Sequence, residues 1–413
     1  MLEKVQMGER RFEDYRGIIS DTLFDEVVRL GKKLRGKRIL QINATSKGGG
    51  VVELLRPSIP LLNDLGLQAE WQTLEAPQSF FGVTKHMHNG LQGDLLNLKP
   101  SQWDTYENYN RQLAEQIDPS KWDVIVVHDP QPAAVRSFMG VDGEAKWAWR
   151  CHIDSKHANP SYLRHFVKYW DAYDGAIFTM AKFVPPGYKP KHLGVIPVAI
   201  DPLNPKNVAM KTGEAKTIVE SFGIDVTRPL VTQVSRFDPW KDPLGVIEAW
   251  KEARAEVPGL QLALIGDTAK DDPEGSVILK AVETVTVGEP DVYIIANRAD
   301  DRAVQAFQSH SNLIIQKSLR EGFGLTVSEA LWNGTPVVGG AVGGIPLQVI
   351  DGKSGFLVTS VKQAATRMVA LLADAKRAKA MGQYGHELVR HKFLLPRMIR
   401  DDMQFWLELL AED

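Results

Sequence analysis

The chain has 413 residues, 44% of them hydrophobic and 24% charged, with a formal net charge of -2 and a single cysteine. That length favours two or three domains over one core, and the composition leaves little room for long disorder. The near-neutral balance gives no global field for nucleic acid or an anionic membrane, and one cysteine excludes both an internal disulfide framework and a cysteine-pair zinc site.

From the start of the chain, residues 1–10 carry no apolar signal core, and no later run is apolar for long enough to span a bilayer. The expected location is therefore cytoplasmic. Short apolar runs then alternate with amphipathic stretches, twice over, which is the pattern of parallel sheets covered by helices on both faces. The first half predicts strands at 38–43, 68–73, 122–128, 147–152 and 175–179, with helices such as 51–65 and 161–170 between them. Two proline-rich passages, Phe183 to Pro190 and Ile196 to Pro205, can continue neither a helix nor a central strand, so they predict a domain junction. The second half restarts the rhythm, with strands at 230–235, 260–266, 292–296, 312–316 and 336–338 and helices at 246–255, 302–308 and 327–332. The tail from 361 to 410 reads as helical with a break near Pro396. Two such α/β halves facing one another predict an interdomain cleft, and sheets of this kind bind ligands beyond the carboxyl ends of their strands.

Three segments carry residues suited to chemistry. In Ile42-Asn-Ala-Thr-Ser-Lys-Gly-Gly-Gly-Val-Val-Glu a strand runs into a helix, and Gly48, Gly49 and Gly50 allow close backbone approach to an anion at the helix start. The segment lacks the ending of a P-loop and the spacing of the dinucleotide fingerprint, and a tight turn explains it equally well. In Val234-Ser-Arg-Phe-Asp-Pro-Trp-Lys-Asp-Pro, Arg236 and Lys241 could neutralise a diphosphate. The alternative is a solvated arginine and a lysine paired to Asp238 or Asp242. In Ser318-Leu-Arg-Glu-Gly-Phe-Gly-Leu-Thr-Val-Ser-Glu-Ala-Leu, Glu321 precedes a Gly-Phe-Gly turn and Glu329 lies about one and a half turns into the next helix. The turn exposes backbone N–H groups beside a helix N-terminus, where phosphate is favoured, while the two carboxylates could grip sugar hydroxyls and a ribose diol. Singly, each glutamate also fits a surface role.

Together Glu321-x7-Glu329, Arg236-x4-Lys241 and Gly343-Gly-Ile-Pro-Leu-Gln-Val-Ile-Asp-Gly-Lys-Ser-Gly-Phe-Leu-Val resemble the retaining glycosyltransferases of the glycosyltransferase-B fold. The resemblance spans essentially the whole chain and is densest from Leu230 to Val358. It implies an α/β architecture of two facing Rossmann-like domains with the active site in the cleft. The acceptor-side domain would comprise 1–201 with a returning helix in 390–413, and the donor-binding domain 202–389. The first half is similar to the trehalose-forming members, glycosyltransferring synthases and the related phosphorylases, through Ser46-Lys-Gly-Gly-Gly-Val-Val-Glu-Leu-Leu, Val127-His-Asp-Pro-Gln and Trp149-Arg-Cys-His-Ile-Asp.

Carried over by that resemblance, His152 contacts the donor glucose near its reacting face, and Arg236 and Lys241 hold the diphosphate. Glu321 and the backbone of Gly322, Phe323 and Gly324 hold the glucose, and Glu329 holds the ribose. Gly48, Gly49, Gly50, Asn297 and Leu325 complete the donor site, while His128, Asp129 and Asp154 line the acceptor side. His152 as an ordinary strand-end histidine is the competing view. Neither Cys151, His152, Asp154 and His157 nor His86 and His88 has a complete structural-zinc spacing. Trp147, Trp149, Trp170 and Trp240 could be sugar platforms, although buried packing is the commoner role.

Retaining hydrolases pair two carboxylates, and no such pair is evident near His152. The resemblance implies front-face displacement, the departing phosphate taking the acceptor's proton. The expected reaction is reversible synthesis of trehalose from ADP-glucose or UDP-glucose and free glucose. Its rivals are a trehalose phosphorylase using glucose 1-phosphate and phosphate, a nucleotide-sugar epimerase, and a non-catalytic nucleotide-sugar sensor. No cofactor is expected for the chemistry, magnesium is allowed without being implied, and no metal ligands are assigned. The expected partners are sugar and nucleotide-sugar substrates, with no nucleic acid and no membrane, and a homodimer is allowed.

Overall fold

The computed structural model describes residues 1–140, 145–211, 213–267 and 273–411. The chain divides into two compact units, Met1–Ala199 with Leu395–Asp413, and Ile200–Leu394. The division falls two residues before the expected 201/202 boundary and five after the expected 389/390 boundary. Positions 412 and 413 of the expected returning segment lie outside the described residues.

The first unit holds a seven-stranded sheet among its described residues. In chain order the strands are β1 (Leu2–Lys4), β2 (Arg38–Asn43), β3 (Gln68–Leu74), β4 (Val124–His128), β5 (Lys146–Cys151), β6 (Gly175–Phe178) and β7 (Leu193–Val195). Their spatial order is β1-β3-β2-β4-β5-β6-β7, all parallel except β1, which pairs antiparallel with β3. Every residue of β4 and β6 is buried, as expected of parallel strands covered on both faces. Trp147, Trp149 and Trp170 are buried in the core, and the rings of Trp149 and Trp170 stack 4.3 Å apart. These three are packing residues.

The second unit repeats the plan with six parallel strands among its described residues: β8 (Leu230–Val234), β9 (Gln261–Gly266), β10 (Val292–Ala296), β11 (Leu313–Gln316), β12 (Val337–Gly340) and β13 (Gly355–Val358). Their order is β10-β9-β8-β11-β12-β13. In each sheet the chain moves one way from its first parallel strand and later returns to that strand's other side. The order therefore reverses between β2 and β4 in one unit and between β8 and β11 in the other. Loops leaving the carboxyl ends of such neighbours open a crevice suited to ligands.

The structure adds β1, β7 and β13 to the expected strands. Each has only three or four residues, and β1 owes its pairing to β3, some seventy positions away (Leu2 faces Leu74). The expected strand 147–152 ends at Cys151, so His152 begins the following loop. The tail breaks near Pro396 as expected, though Pro396 itself is inside the next helix. It sits in the first turn of the helix Leu395–Ala411, where a missing N–H costs nothing, and the break falls before it at Phe393 and Leu394. A second, unexpected break lies at Asp374, whose carboxylate caps the helix Ala375–Lys392 by accepting from Arg377 N.

The helix Leu395–Ala411 closes the first unit. Arg397 donates to the carbonyl of Pro197 at 2.7 Å, and Asp402 forms a buried ion pair with Arg150 of β5, also at 2.7 Å. Phe405 packs on Gly194 of β7, where a side chain would collide with its ring. No helix among the described residues is long and apolar enough to cross a membrane.

Candidate active site

The first unit gathers its expected residues at the ends of β2, β4 and β5. Beyond β2, Gly48 and Gly49 take positive φ values of 68° and 86°, and Gly49 caps the helix Gly50–Asp64. A β-carbon at Gly48 or Gly49 would meet nothing within 4 Å. Open space before free helix N–H groups can receive an anion.

His128 is the last residue of β4 and is buried. Its Nε2 lies 2.7 Å from Gln41 Oε1, and its Nδ1 lies 2.9 Å from His152 Nε2. The two rings are parallel within 6°, with centroids 5.2 Å apart, so they meet edge to edge through that hydrogen bond. Burial, reinforced by the Arg150 guanidinium, holds both imidazoles well below the usual histidine range. Asp129 follows with φ 62°, and its Oδ1 accepts from the backbone N–H of His152 at 2.9 Å. Burial pushes its carboxyl up to about 7. Asp154 is further out and caps its own loop, accepting from Lys156 N at 3.1 Å. Cys151 is buried, donates to the Ile153 carbonyl, and burial raises its thiol.

The second unit stitches together the loops after β8 and β11. Lys241 Nζ lies 2.5 Å from Glu321 Oε2, and Leu319 N donates to the Trp240 carbonyl at 2.8 Å. Gln233 of β8 fixes the Lys241 carbonyl, and Arg320 covers the Trp240 ring, 4.0 Å from its centroid. Trp240 thus carries a guanidinium on its face. Asp242 does not pair with Lys241; it binds Lys317 and caps the helix Pro243–Arg254. The Gly-Phe-Gly turn rests on Gly343 and Gly344. Gly344 N donates to the Gly322 carbonyl at 2.9 Å, and a β-carbon on Gly343 would run into the Glu321 carbonyl oxygen. Gly324, at φ 84°, begins the helix Leu325–Trp332.

Two expected residues stand differently. Arg236 pairs with Asp238 at 3.3 Å and its side chain is 55% exposed, so it is largely solvated as the alternative had it, while Asp238 takes the arginine and not the lysine as its partner. Glu329 is the fifth residue of its helix, a little over one turn in, close to the expected depth, although the helix itself starts at Leu325, two residues before the expected start. It is 1% exposed and paired with Lys206 at 2.7 Å, with Gln308 3.3 Å from its other oxygen. Asn297 follows β10, separated from β8 by β9, in a left-handed conformation at φ 54°.

Sequence reasoning assigned nothing to Gln41, Arg150, Asp402 or Lys206. Gln41 had a signal, since a polar residue in Arg38-Ile-Leu-Gln-Ile-Asn is buried with the strand and must find a partner. Lys206 lies in the proline-rich junction, where local pattern gives no hint of a partner more than 120 positions away.

Comparison with known proteins bears on the same two stretches. Residues 41–185 match the family model described as trehalose synthase, N-terminal domain, and residues 214–388 match glycosyl transferases group 1. The trehalose synthase of Rubrobacter xylanophilus is 46% identical over 416 residues, covering 100% of both chains. The trehalose phosphorylase of Pleurotus pulmonarius is 28% identical over 84% of this chain and 54% of its own length. Among solved structures, the α,α-trehalose 6-phosphate synthase of Burkholderia multivorans superposes with a TM-score of 0.73 at 17% identity, covering 91% of this chain and 99% of that one. That likeness establishes the glycosyltransferase-B fold.

Proposed function

Because the chain belongs to the trehalose synthase family of glycosyltransferases, we propose that it joins glucose from a nucleoside diphosphate glucose to free glucose, reversibly and with retention. The observation that carries this reading is the Lys241–Glu321 pair at the β8/β11 reversal, beside the Gly-Phe-Gly turn. It sets a cation next to a carboxylate and to backbone N–H groups. Lys241 is the group that would balance charge gathering on the departing diphosphate, with Arg236 joining it on leaving Asp238. Glu321 would accept from glucose hydroxyls. In the first unit Asp129 would accept from the acceptor glucose, and His152 would contact the donor sugar.

The chemistry is a front-face displacement. The bond from the anomeric carbon to the phosphate oxygen breaks, the acceptor hydroxyl oxygen bonds to that carbon on the same face, and its proton passes to the leaving phosphate. The side chains contribute position and charge, and the two cations do the neutralising that a divalent metal does elsewhere. A phosphorylase is the second reading, and one observation favours it: Glu329 is buried against Lys206 and is not open to a ribose diol. Incubation with ADP-glucose, UDP-glucose or glucose 1-phosphate, each with free glucose, separates the two. Release of nucleoside diphosphate with disaccharide is expected; disaccharide from glucose 1-phosphate alone would transfer the assignment to a phosphorylase.

A further inference from the structure

The hydrogen bonds beneath His152 have a direction. Gln41 presents Oε1, an atom that can only accept, to His128 Nε2 at 2.7 Å. His128 must then carry its proton on Nε2. Burial and the Arg150 charge disfavour a second proton on either ring. His128 Nδ1 is therefore a bare lone pair, and the single proton in its 2.9 Å contact with His152 Nε2 belongs to His152. The remaining nitrogen of His152, Nδ1, has no proton.

We propose that Gln41 is a positioning residue that, through His128, fixes the tautomer of His152, leaving His152 Nδ1 as a hydrogen-bond acceptor for a sugar hydroxyl. The role assigned to the sugar rests on the reading above that His152 contacts the donor. The surroundings are built to hold the relay still. Gln41, His128, Arg150, His152 and Asp402 line one small cavity with apolar side chains from the helices Gly50–Asp64 and Leu395–Ala411. Arg150 is held there by Asp402, so the charge that keeps the imidazoles neutral is fixed in place. The tautomer of a working histidine is set by the hydrogen bond its other nitrogen makes. Here that control lies two side chains away.

The test reads protonation directly. Histidine-selective nitrogen-15 NMR of the full chain, with His152 assigned by its loss in His152→Gln, reports which ring nitrogen carries hydrogen. The wild type is expected to show His152 protonated on Nε2 and bare on Nδ1. Gln41→Met, similar in size but without an acceptor, should mix the tautomers and lower kcat about 10-fold, the worth of one hydrogen bond, with a smaller change in KM. A wild-type His152 protonated on Nδ1 would mean the relay runs the other way and overturns the proposal, even if Gln41→Met fails to fold. An unchanged tautomer in folded Gln41→Met overturns it too. A mixed tautomer with unchanged kcat would uphold the relay and instead remove His152 from the proposed reaction.

Discussion

Lys241 and Asp129 carry the reading at the level of single residues, and each can be tested alone. Lys241 is within 2.5 Å of Glu321 and mostly buried, so it is held where a developing negative charge would be balanced without reorganisation. Lys241→Ala should lower kcat roughly 100-fold, about 3 kcal/mol of transition-state stabilisation, in a protein whose circular dichroism is unchanged. Wild-type turnover in that variant would remove the diphosphate role. Asp129 titrates near 7 in the folded protein against an ordinary value of 3.8. Between those values the folded state binds more protons than the unfolded one, so stability falls as pH rises and levels off above about 7. Asp129→Asn, which mimics the protonated acid and keeps the acceptor for His152 N, should lack this component. Its melting temperature relative to wild type should therefore climb across that window, and a constant difference would contradict the raised carboxyl. If ionised Asp129 receives the acceptor hydroxyl, kcat/KM for glucose should rise with pH through about 7 in the wild type and stay low and flat in Asp129→Asn.

The elements explain why some of the site could be read in advance. Gly48, Gly49, Lys241, Glu321 and the Gly-Phe-Gly turn stand at strand-to-helix turns, where a local run of residues declares both the backbone conformation and the chemistry. Glu329 was legible as a motif but not in its surroundings, because its partner Lys206 reaches it from a junction that local pattern leaves blank. The Gln41–His128–His152 relay was hidden for the same reason: each member is local to its own strand end, and only the order β2-β4-β5 makes them neighbours. The Gly343-Gly pair illustrates the converse, a motif whose reason becomes physical once the Glu321 carbonyl is seen against it. Gly343→Ala should push the turn away from its position and lower kcat/KM for the donor by roughly 10²-fold, as misplacement by about an ångström does. Its melting temperature should fall as well, since the backbone of the turn must shift to admit the methyl group. Unchanged donor kinetics would show that the turn does not position the sugar.

At the scale of the whole molecule, alternating apolar and amphipathic stretches predicted two parallel α/β sheets, and the two sheets exist with the strand reversals that suit ligand binding. The pattern erred where a strand's existence depends on distant pairing, as for β1. Both ends of the chain build the first unit, since Leu395–Asp413 joins Met1–Ala199, and periodicity alone could not have said so; only the resemblance implied a returning helix. Membership in the trehalose synthase family fixes the class of reaction, while the donor, the acceptor and the stereochemistry are what the proposal adds. Those meet in one product. The enzyme would be supplied with a nucleoside diphosphate glucose and free glucose, and the disaccharide identified from its anomeric couplings in proton NMR. The account predicts trehalose, with a single small α coupling at both linked carbons. A β linkage at the donor carbon, or a product formed preferentially from glucose 6-phosphate, would contradict it.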